Sequence, residues 1–227
     1  MAKFNLDTHV DTLGRLSSAC VIIPDIPKPE GGYPTLLLLH DQGGDHSVWS
    51  RFTSLERYME DYRFAVVMVD GGHGYYVDSE FCSYEKVIFE DEIEKIAHFF
   101  NLNIDSAHLF VGGYGVGGYG AIRQLLRNSN RYKAGFAIKP KMDIVCEMKI
   151  NNSKQTFIDM MEKTVQDIML DGDYSSNGNI LIIDDTDSLG HYRRIQDAIK
   201  IAIEGSDGWS YADKALPYAL DFISKNL

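Results

Sequence analysis

One stretch of the chain, residues 109–123, constrains the fold more than any other. It reads LFVGGYGVGGYGAIR, so a short apolar run enters a turn with six glycines in nine positions, and a helical pattern leaves it. A strand that turns this sharply into a helix brings two backbone segments close together, which glycine allows. Such turns cradle a phosphate at the helix N-terminus or carry a nucleophile on a strained elbow. At the centre of this turn, where an elbow carries its nucleophile, the residue is Gly115.

The composition bounds the size, the partners and the compartment. The 227 residues, 44% of them hydrophobic, suit a single α/β domain over residues 1–227. The net charge of -11 repels phosphate backbones and anionic membranes, so we expect neither nucleic acid nor a membrane as a partner. The N-terminal residues lack the apolar segment of a signal peptide, and no apolar run reaches the roughly 18 residues of a membrane span. Three widely spaced cysteines, Cys20, Cys82 and Cys146, fit a reducing compartment, so we predict a cytoplasmic protein.

Hydrophobic periodicity predicts strands that alternate with helices. A hairpin is predicted over residues 8–23, and buried strands at 35–39, 64–69, 108–111, 134–138 and 179–183. Helices are predicted at about 47–60, 84–100, 118–127, 154–169 and 211–224. The acidic residues between 90 and 94 are expected on a solvated helix face. Residues 193–204 fit a helix or an edge strand, and we predict a short helix followed by a strand.

This alternation implies an α/β fold with a mostly parallel sheet, helices on both faces and an N-terminal antiparallel hairpin. In such sheets, sites form beyond the carboxyl ends of the strands. The loops predicted at that edge are HDQGGDH (40–46), DGGHG (70–74), GGYGVGG (112–118), DDTD (184–187) and GSDGW (205–209). All five are rich in polar or glycine residues, so the sequence places a candidate site among them.

The glycine turn also matches the dinucleotide-binding pattern GxGxxG, through Gly113, Gly115 and Gly118. That pattern belongs to the first strand–helix unit of its fold, whereas several strands are predicted before this one. The acidic residue expected about 20 positions further on to hold a ribose is absent, and Lys139 lies there instead. A dinucleotide-binding oxidoreductase is therefore kept as one alternative function.

Five segments, spread over most of the chain, resemble those of one enzyme family. YPTLLLLHDQGGDHSVW and FAVVMVDGGHGYYVD resemble its oxyanion-loop strand and the strand that follows, and HLFVGGYGVGGYGA resembles its nucleophile elbow, usually close to GxSMGGYGA. LIIDDTD resembles the strand that delivers the acid, and GSDGWSYADKALPYALDFI resembles the histidine loop, usually GxHxW, with the last helix. The family is the esterase D branch of the α/β-hydrolases, which includes tributyrin-type acetylesterases, S-formylglutathione hydrolases and feruloyl esterases. The resemblance implies the α/β-hydrolase fold.

Carried over position by position, the resemblance implies a triad that is mostly lost. The nucleophile position holds Gly115, the histidine position holds Asp207, and the acid position keeps its residue type at Asp187. No histidine follows His191, so the usual order of serine, acid and histidine cannot be completed. Acyl transfer by this route needs a hydroxyl that a neighbouring imidazole deprotonates, and this chain offers neither at those positions.

The oxyanion loop departs from the family pattern as well. The resemblance implies that the backbone N–H groups of Gln42 and Val116 form the oxyanion hole, while Asp41 stands where the family tends to have glycine. We expect a pocket lined by His40, Asp41, His73 and Tyr114. The histidines and carboxylates of these loops lack zinc-motif spacing, and a histidine at a strand end more often orients a loop, so we predict no metal and no cofactor.

These features lead to one hypothesis and two alternatives. The leading hypothesis is an esterase-like α/β-hydrolase homologue that is catalytically inactive and retains binding of a small-molecule ester, a related ligand or a protein partner. The first alternative is an active carboxylic-ester hydrolase with a rearranged site, and the second is the dinucleotide-binding oxidoreductase. A homo-oligomer is compatible with the sequence.

Overall fold

The computed structural model describes residues 1–79, 83–150, 153–156, 158–159 and 174–227. The strands are β1 (Ala2–Val10), β2 (Arg15–Ile23), β3 (Tyr33–Leu39), β4 (Ala65–Val69), β5 (Leu102–Asn103), β6 (Leu109–Tyr114), β7 (Ala134–Ile138), β8 (Tyr174–Ser175), β9 (Ile180–Asp184), β10 (Ile195–Gln196) and β11 (Ile199–Ala202). The α-helices are α1 (Val48–Phe52), α2 (Leu55–Tyr58), α3 (Tyr84–Lys86), α4 (Ile93–Phe100), α5 (Val116–Arg127), α6 (Ile144–Ile150) and α7 (Trp209–Lys225). Short 3-10 helices cover Met59–Asp61 and Ser188–Tyr192, and a π-helix, Val87–Glu92, joins α3 to α4.

The main sheet has the strand order β1-β2-β4-β3-β6-β7-β9-β11. All neighbouring strands from β4 to β11 run parallel, whereas β1 pairs antiparallel with β2, and β2 antiparallel with β4. The mostly parallel sheet and the N-terminal antiparallel hairpin confirm the predicted fold class, although the hairpin begins at Ala2 and not at residue 8. Among the residues that the structure describes, none of the helices has the length and apolar character of a membrane-spanning segment.

The two faces of the sheet are covered by two separate hydrophobic layers. Leu37 and Leu39 of β3 pack into the layer that contains α4 and α5, while Leu36 and Leu38 pack into the layer that contains α1, α2 and α7. Successive residues of a strand point to opposite faces, so a strand covered on both sides is apolar at every position. This explains the uninterrupted run TLLLL. The carboxyl ends of the strands remain available for a site, as is usual in parallel sheets.

The predicted helix at 47–60 is divided in two. Thr53 is extended, with φ -130° and ψ 170°, and ends α1. The backbone N–H of Ser54, which begins the next segment, donates to the Asp213 carboxylate of α7 at 2.6 Å. The hydroxyl of Ser47, the residue before α1, donates to Asp45 at 2.6 Å and makes no cap. Tertiary contacts with α7 therefore replace the continuous helix that periodicity predicts.

The C-terminal half contains several short elements that differ from prediction. The strand predicted within 193–204 is confirmed as β11, but the short helix before it is wrong: residues 195–196 form β10, which pairs with β8. A helical turn lies earlier, at Ser188–Tyr192, and α6 was not predicted. For the helix predicted at 154–169, residues 155–156 and 158–159 are helical, and the remainder lies outside the described residues.

One acidic residue expected on a solvated face is buried. Glu92 ends the π-helix and is fully buried against the hairpin. It faces the hydroxyl of Ser17, which lies opposite Thr8 in the β1–β2 ladder. Glu92 lies four residues after Ile88 and four before Ile96, both of which are buried, so α-helical spacing already places it on the apolar side. The expectation was wrong because it assigned Glu92 to the solvated face together with its acidic neighbours in the sequence.

Candidate functional site

The candidate site is built on the turn between β6 and α5. Gly115 occupies this turn with φ 59° and ψ -119°, a conformation that favours glycine. Its N–H donates to the Ile138 carbonyl of β7 at 3.0 Å, and its carbonyl accepts from the Lys141 N–H at 3.0 Å. A Cβ atom at Gly117 would lie 2.5 Å from the Leu39 carbonyl oxygen, so the first turn of α5 lies directly against the end of β3. The strained strand–turn–helix geometry of an elbow is present.

The side chain of Asp41 fills the space in front of this elbow. A Cβ atom added at Gly115 would lie 2.7 Å from Oδ2 of Asp41 and closer still to its Oδ1 and Cγ. The same Oδ1 accepts a hydrogen bond from the Val116 N–H at 2.8 Å, and the Gln42 N–H also donates to this carboxylate. Both backbone donors expected to form an oxyanion hole therefore point at a negatively charged group of the chain itself.

The environment of Asp41 shifts its protonation. Burial raises the pKa of this carboxyl, while the N–H groups of Val116 and Gln42 and the charge of Lys141 oppose the rise. The nearby carboxylate of Asp207 adds to the rise. Two backbone N–H groups and one ammonium group therefore stabilise the negative charge of the partly desolvated Asp41 carboxylate.

Asp207 lies in a second hydrogen-bond group beside the elbow. The Tyr114 hydroxyl donates to one oxygen of Asp207, and the Lys141 ammonium donates to the other at 2.9 Å. Burial alone would raise the pKa of Asp207, but the hydrogen bonds from Tyr114 and Lys141 outweigh it and hold the pKa below its usual value. Burial and the neighbouring carboxylate raise the pKa of Tyr114. Tyr114 directly precedes Gly115, and the Lys141 N–H bonds to the Gly115 carbonyl. These two residues therefore connect Asp207 to the backbone of the elbow.

His40 lies beneath the loops and holds them together. Its side chain is buried, with Nδ1 2.7 Å from the Asp41 carbonyl and Nε2 accepting from the Gly71 N–H at 2.8 Å. The Tyr76 hydroxyl donates to the His40 carbonyl at 2.8 Å. Because Nε2 accepts, the proton of the neutral ring lies on Nδ1, and burial lowers the pKa of the imidazole. His40 therefore orients the loop that carries Asp41.

The other two predicted residues are exposed to solvent. His73 is exposed in the loop after β4. Asp187 is exposed at the start of the 3-10 helix, and among the described residues its carboxylate has no hydrogen-bond partner. The carboxylates that β9 delivers to the site are those of Asp184 and Asp185, which lie 3.5 Å and 2.8 Å from the Lys139 ammonium. The structure thus brings together Gly115, Asp41 and Asp207, whereas Asp187 and His73 are exposed to solvent.

Two lysines of the site were missed by sequence reasoning. Lys139 and Lys141 belong to the segment KPK that follows β7, a strand end that was not counted among the candidate loops. The signal was available, since β7 was predicted correctly and residues beyond its carboxyl end lie at the same edge as the elbow. These two cations balance the carboxylates of Asp41, Asp184 and Asp207.

A cavity of about 250 Å³ opens beside Lys141. Its polar lining includes Lys139, Lys141, Cys146, Glu147, Asp184 and Asp207. Burial, together with the nearby carboxylates, raises the pKa of Glu147 despite the Lys141 ammonium 3.9 Å away. Within the ranges the structure describes, no three His, Cys, Asp or Glu side chains are placed to hold a metal ion. The cavity can take a small polar molecule.

Comparison with solved structures identifies the fold. A ferulic acid esterase superposes with a TM-score of 0.82 at 18% identity, over 100% of this chain and 99% of that one. The S-formylglutathione hydrolase of Staphylococcus aureus superposes with a TM-score of 0.78 at 20% identity, over 98% of both chains. That of Agrobacterium tumefaciens gives 0.76 at 14% identity, over 99% of this chain and 95% of the other. No family model and no curated protein matches the sequence.

Proposed function

We propose that this chain, which has the α/β-hydrolase fold predicted from its sequence, is an esterase-like homologue that does not hydrolyse esters by the serine route. The observation that carries the proposal is the position of Asp41. Its Oδ1 lies where the nucleophile side chain would project from Gly115, and it already accepts the Val116 N–H at 2.8 Å. A serine esterase needs that donor for the oxyanion of its tetrahedral intermediate.

The proton-transfer groups support the same proposal. Gly115 has no side chain that could be acylated, and Asp207 stands at the predicted histidine position. Hydrogen bonds from Tyr114 and Lys141 lower the pKa of Asp207, which makes its carboxylate a weak base near neutral pH. A general base works best when its pKa lies near the working pH. The site therefore offers neither a nucleophile nor a suitable base at these positions.

The Asp41 carboxylate argues against the dinucleotide alternative. In that fold the pyrophosphate binds the N-terminal N–H groups of the helix that follows the glycine turn. Here the corresponding N–H, that of Val116, is bound by Asp41, whose negative charge repels phosphate. No observation at the site favours this alternative.

A binding role is the function that the remaining features support. The cavity beside Lys141 contains two ammonium groups and several carboxylates within about 250 Å³, so it suits a small polar molecule better than a long acyl chain. We expect that Lys141→Met weakens the binding of such a ligand at least tenfold, because it removes a half-buried cation and takes from Asp207 and Glu147 the ammonium with which they form ion pairs. Screening of short carboxylic esters and acids by the shift in melting temperature, with Lys214→Met as the surface control, tests this.

Ester hydrolysis itself is tested with chromogenic short-chain esters and a fluorophosphonate probe. The wild-type protein is expected to show neither turnover above background nor covalent labelling. An oxyanion hole alone leaves about 10³-fold catalysis over water, and here the hole is filled. Asp41→Gly, which empties the hole without supplying a hydroxyl, should remain unlabelled. Labelling of any serine in the wild-type protein, with turnover that the label abolishes, would show an active hydrolase with a rearranged site.

A further inference from the structure

The outermost strand β1 has one open edge. We propose that this edge binds the same strand of a second copy of the chain, antiparallel and with Asn5 opposite Asn5, so that the two sheets continue into one another. In the described residues β1 pairs with β2 alone and lies at the end of the sheet order. It runs for nine residues without proline. Edge strands that stay unpaired are commonly short, bulged or interrupted by proline.

The backbone groups that face the open edge can be identified. Ser18 lies opposite Asp7 in the hairpin, and its carbonyl accepts the Asp70 N–H beyond the end of β4 at 3.1 Å, so it points away from β1. In an antiparallel pair, two opposed residues both bond each other or both point outward. Asp7 therefore points its N–H and C=O to the open edge, and by alternation so do Asn5 and Lys3. These outward-facing groups of Lys3, Asn5 and Asp7 form the open row. The row ends at His9, because the Lys95 ammonium, 2.5 Å away, already binds the His9 carbonyl.

The open row is complementary to itself. With Asn5 opposite Asn5, Lys3 of each copy lies opposite Asp7 of the other, and all three pairs present outward N–H and C=O groups, giving about six backbone hydrogen bonds. Cross-strand pairs of opposite charge stabilise a sheet. A register shifted by one residue, centred on Leu6, sets Lys3 opposite His9, whose carbonyl Lys95 already holds. The charge pattern thus selects one register.

Both faces of the strand suit this partner. On one face Phe4 is 43% exposed and packs on Phe100, with ring centroids 5.0 Å apart, and the pairing would cover it with Leu6 of the second copy. On the other face Lys3 contacts Glu56 and Asp7 accepts from Ser18. An ammonium has three donors and a carboxylate has two acceptor oxygens, so Lys3 and Asp7 can each take a further partner.

The test is sedimentation velocity of the whole chain over a concentration series. An interface of this extent is small, so the dimer is sought up to about 500 µM. We expect wild-type dimers, and monomers for Lys3→Asp and for Asp7→Lys, since each sets like charges opposite one another. The exchange Lys3→Asp with Asp7→Lys should restore the dimer. Lys200→Asp makes the same charge change on β11, the opposite edge, and should leave dimerisation unchanged.

Hydrogen exchange locates the contact. Amide exchange at Lys3, Asn5 and Asp7 should slow as the concentration rises, while the amides of Phe4 and Leu6, bonded within the hairpin, stay protected throughout. Asn5→Pro, which removes the central outward N–H, should abolish both effects. A wild-type monomer at the highest concentration overturns the proposal. The proposal is also overturned if the separate variants Asn5→Pro and Lys3→Asp still form the dimer, or if Lys200→Asp dissociates it.

Discussion

The combination of Asp41→Gly, Gly115→Ser and Asp207→His is expected to label with fluorophosphonate and to hydrolyse short esters. The introduced serine would then hold a hydroxyl at the elbow, the imidazole would replace Asp207, and the N–H groups of Gln42 and Val116 would be free. Removing one oxyanion-hole donor from a serine hydrolase costs about 10²–10³ in rate. We therefore expect the triple variant to exceed the double variant that retains Asp41 by about that factor, measured as the initial rate of ester hydrolysis.

Two matched variants separate the causes. The double variant Gly115→Ser with Asp207→His keeps the obstruction, and a serine Cβ there overlaps the Asp41 carboxylate, so it should be unlabelled and less stable. A second triple variant with Asp41→Asn keeps the volume but removes the charge, and should also stay inactive. If the double variant is as active as the triple variant, Asp41 is not the obstruction. A folded triple variant that does not react would show that Asp207 is not the histidine position.

The second large effect concerns stability against pH. Burial raises the pKa of Glu92 from 4.5 to about 7, and the Asp70 carboxylate adds to the rise, while the Ser17 hydroxyl and Arg15 oppose it. A carboxyl whose pKa is raised by folding binds its proton more tightly in the folded state. The free energy of unfolding therefore falls as pH rises from about 4.5 to about 7, by about 3 kcal/mol, and this loss is constant at higher pH.

Glu92→Gln should abolish this slope and raise the free energy of unfolding at pH 8 by up to about 3 kcal/mol. The measurement is urea unfolding at pH 5, 6, 7 and 8, analysed as the difference between variant and wild type, which cancels the other titrating groups. Glu94→Gln, an exposed residue of the same helical segment, is the control and should leave the curve unchanged. A Glu92→Gln difference that does not depend on pH would mean that Glu92 titrates normally.

The features that the sequence predicted well depend on local patterns. The apolar run of β3 indicated a strand covered on both faces, and the glycines around Gly115 indicated a sharp strand-to-helix turn. Both inferences need only the chemistry of neighbouring residues. They were enough to predict the parallel sheet and the sharp turn at Gly115, at the carboxyl ends of its strands.

The features that the sequence missed depend on distances between separate segments. Asp41 was seen as a departure from a glycine, but its contact with the Val116 N–H depends on how closely the loop after β3 approaches α5. Lys141 gains its importance from Asp207, 66 residues further on. Glu92 was assigned to the solvated face with its acidic neighbours, although it lies four residues from Ile88 and four from Ile96. The contacts of Asp41 and Lys141 depend on tertiary structure, whereas the burial of Glu92 follows from helical spacing.

The Asp41 carboxylate has a further consequence, which concerns the stability of variants designed to hydrolyse esters. An esterase releases a carboxylic acid, and under the proposed function the Asp41 carboxylate lies where such a product would lie, while remaining attached to the chain. The tethered group also satisfies the N–H groups that an empty hole would leave without a partner. Introducing a serine at Gly115 alone brings a clash, and removing Asp41 alone exposes those N–H groups, so each single change is expected to lower stability. Under the proposed function, the absence of ester hydrolysis therefore depends on Gly115 and Asp41 together.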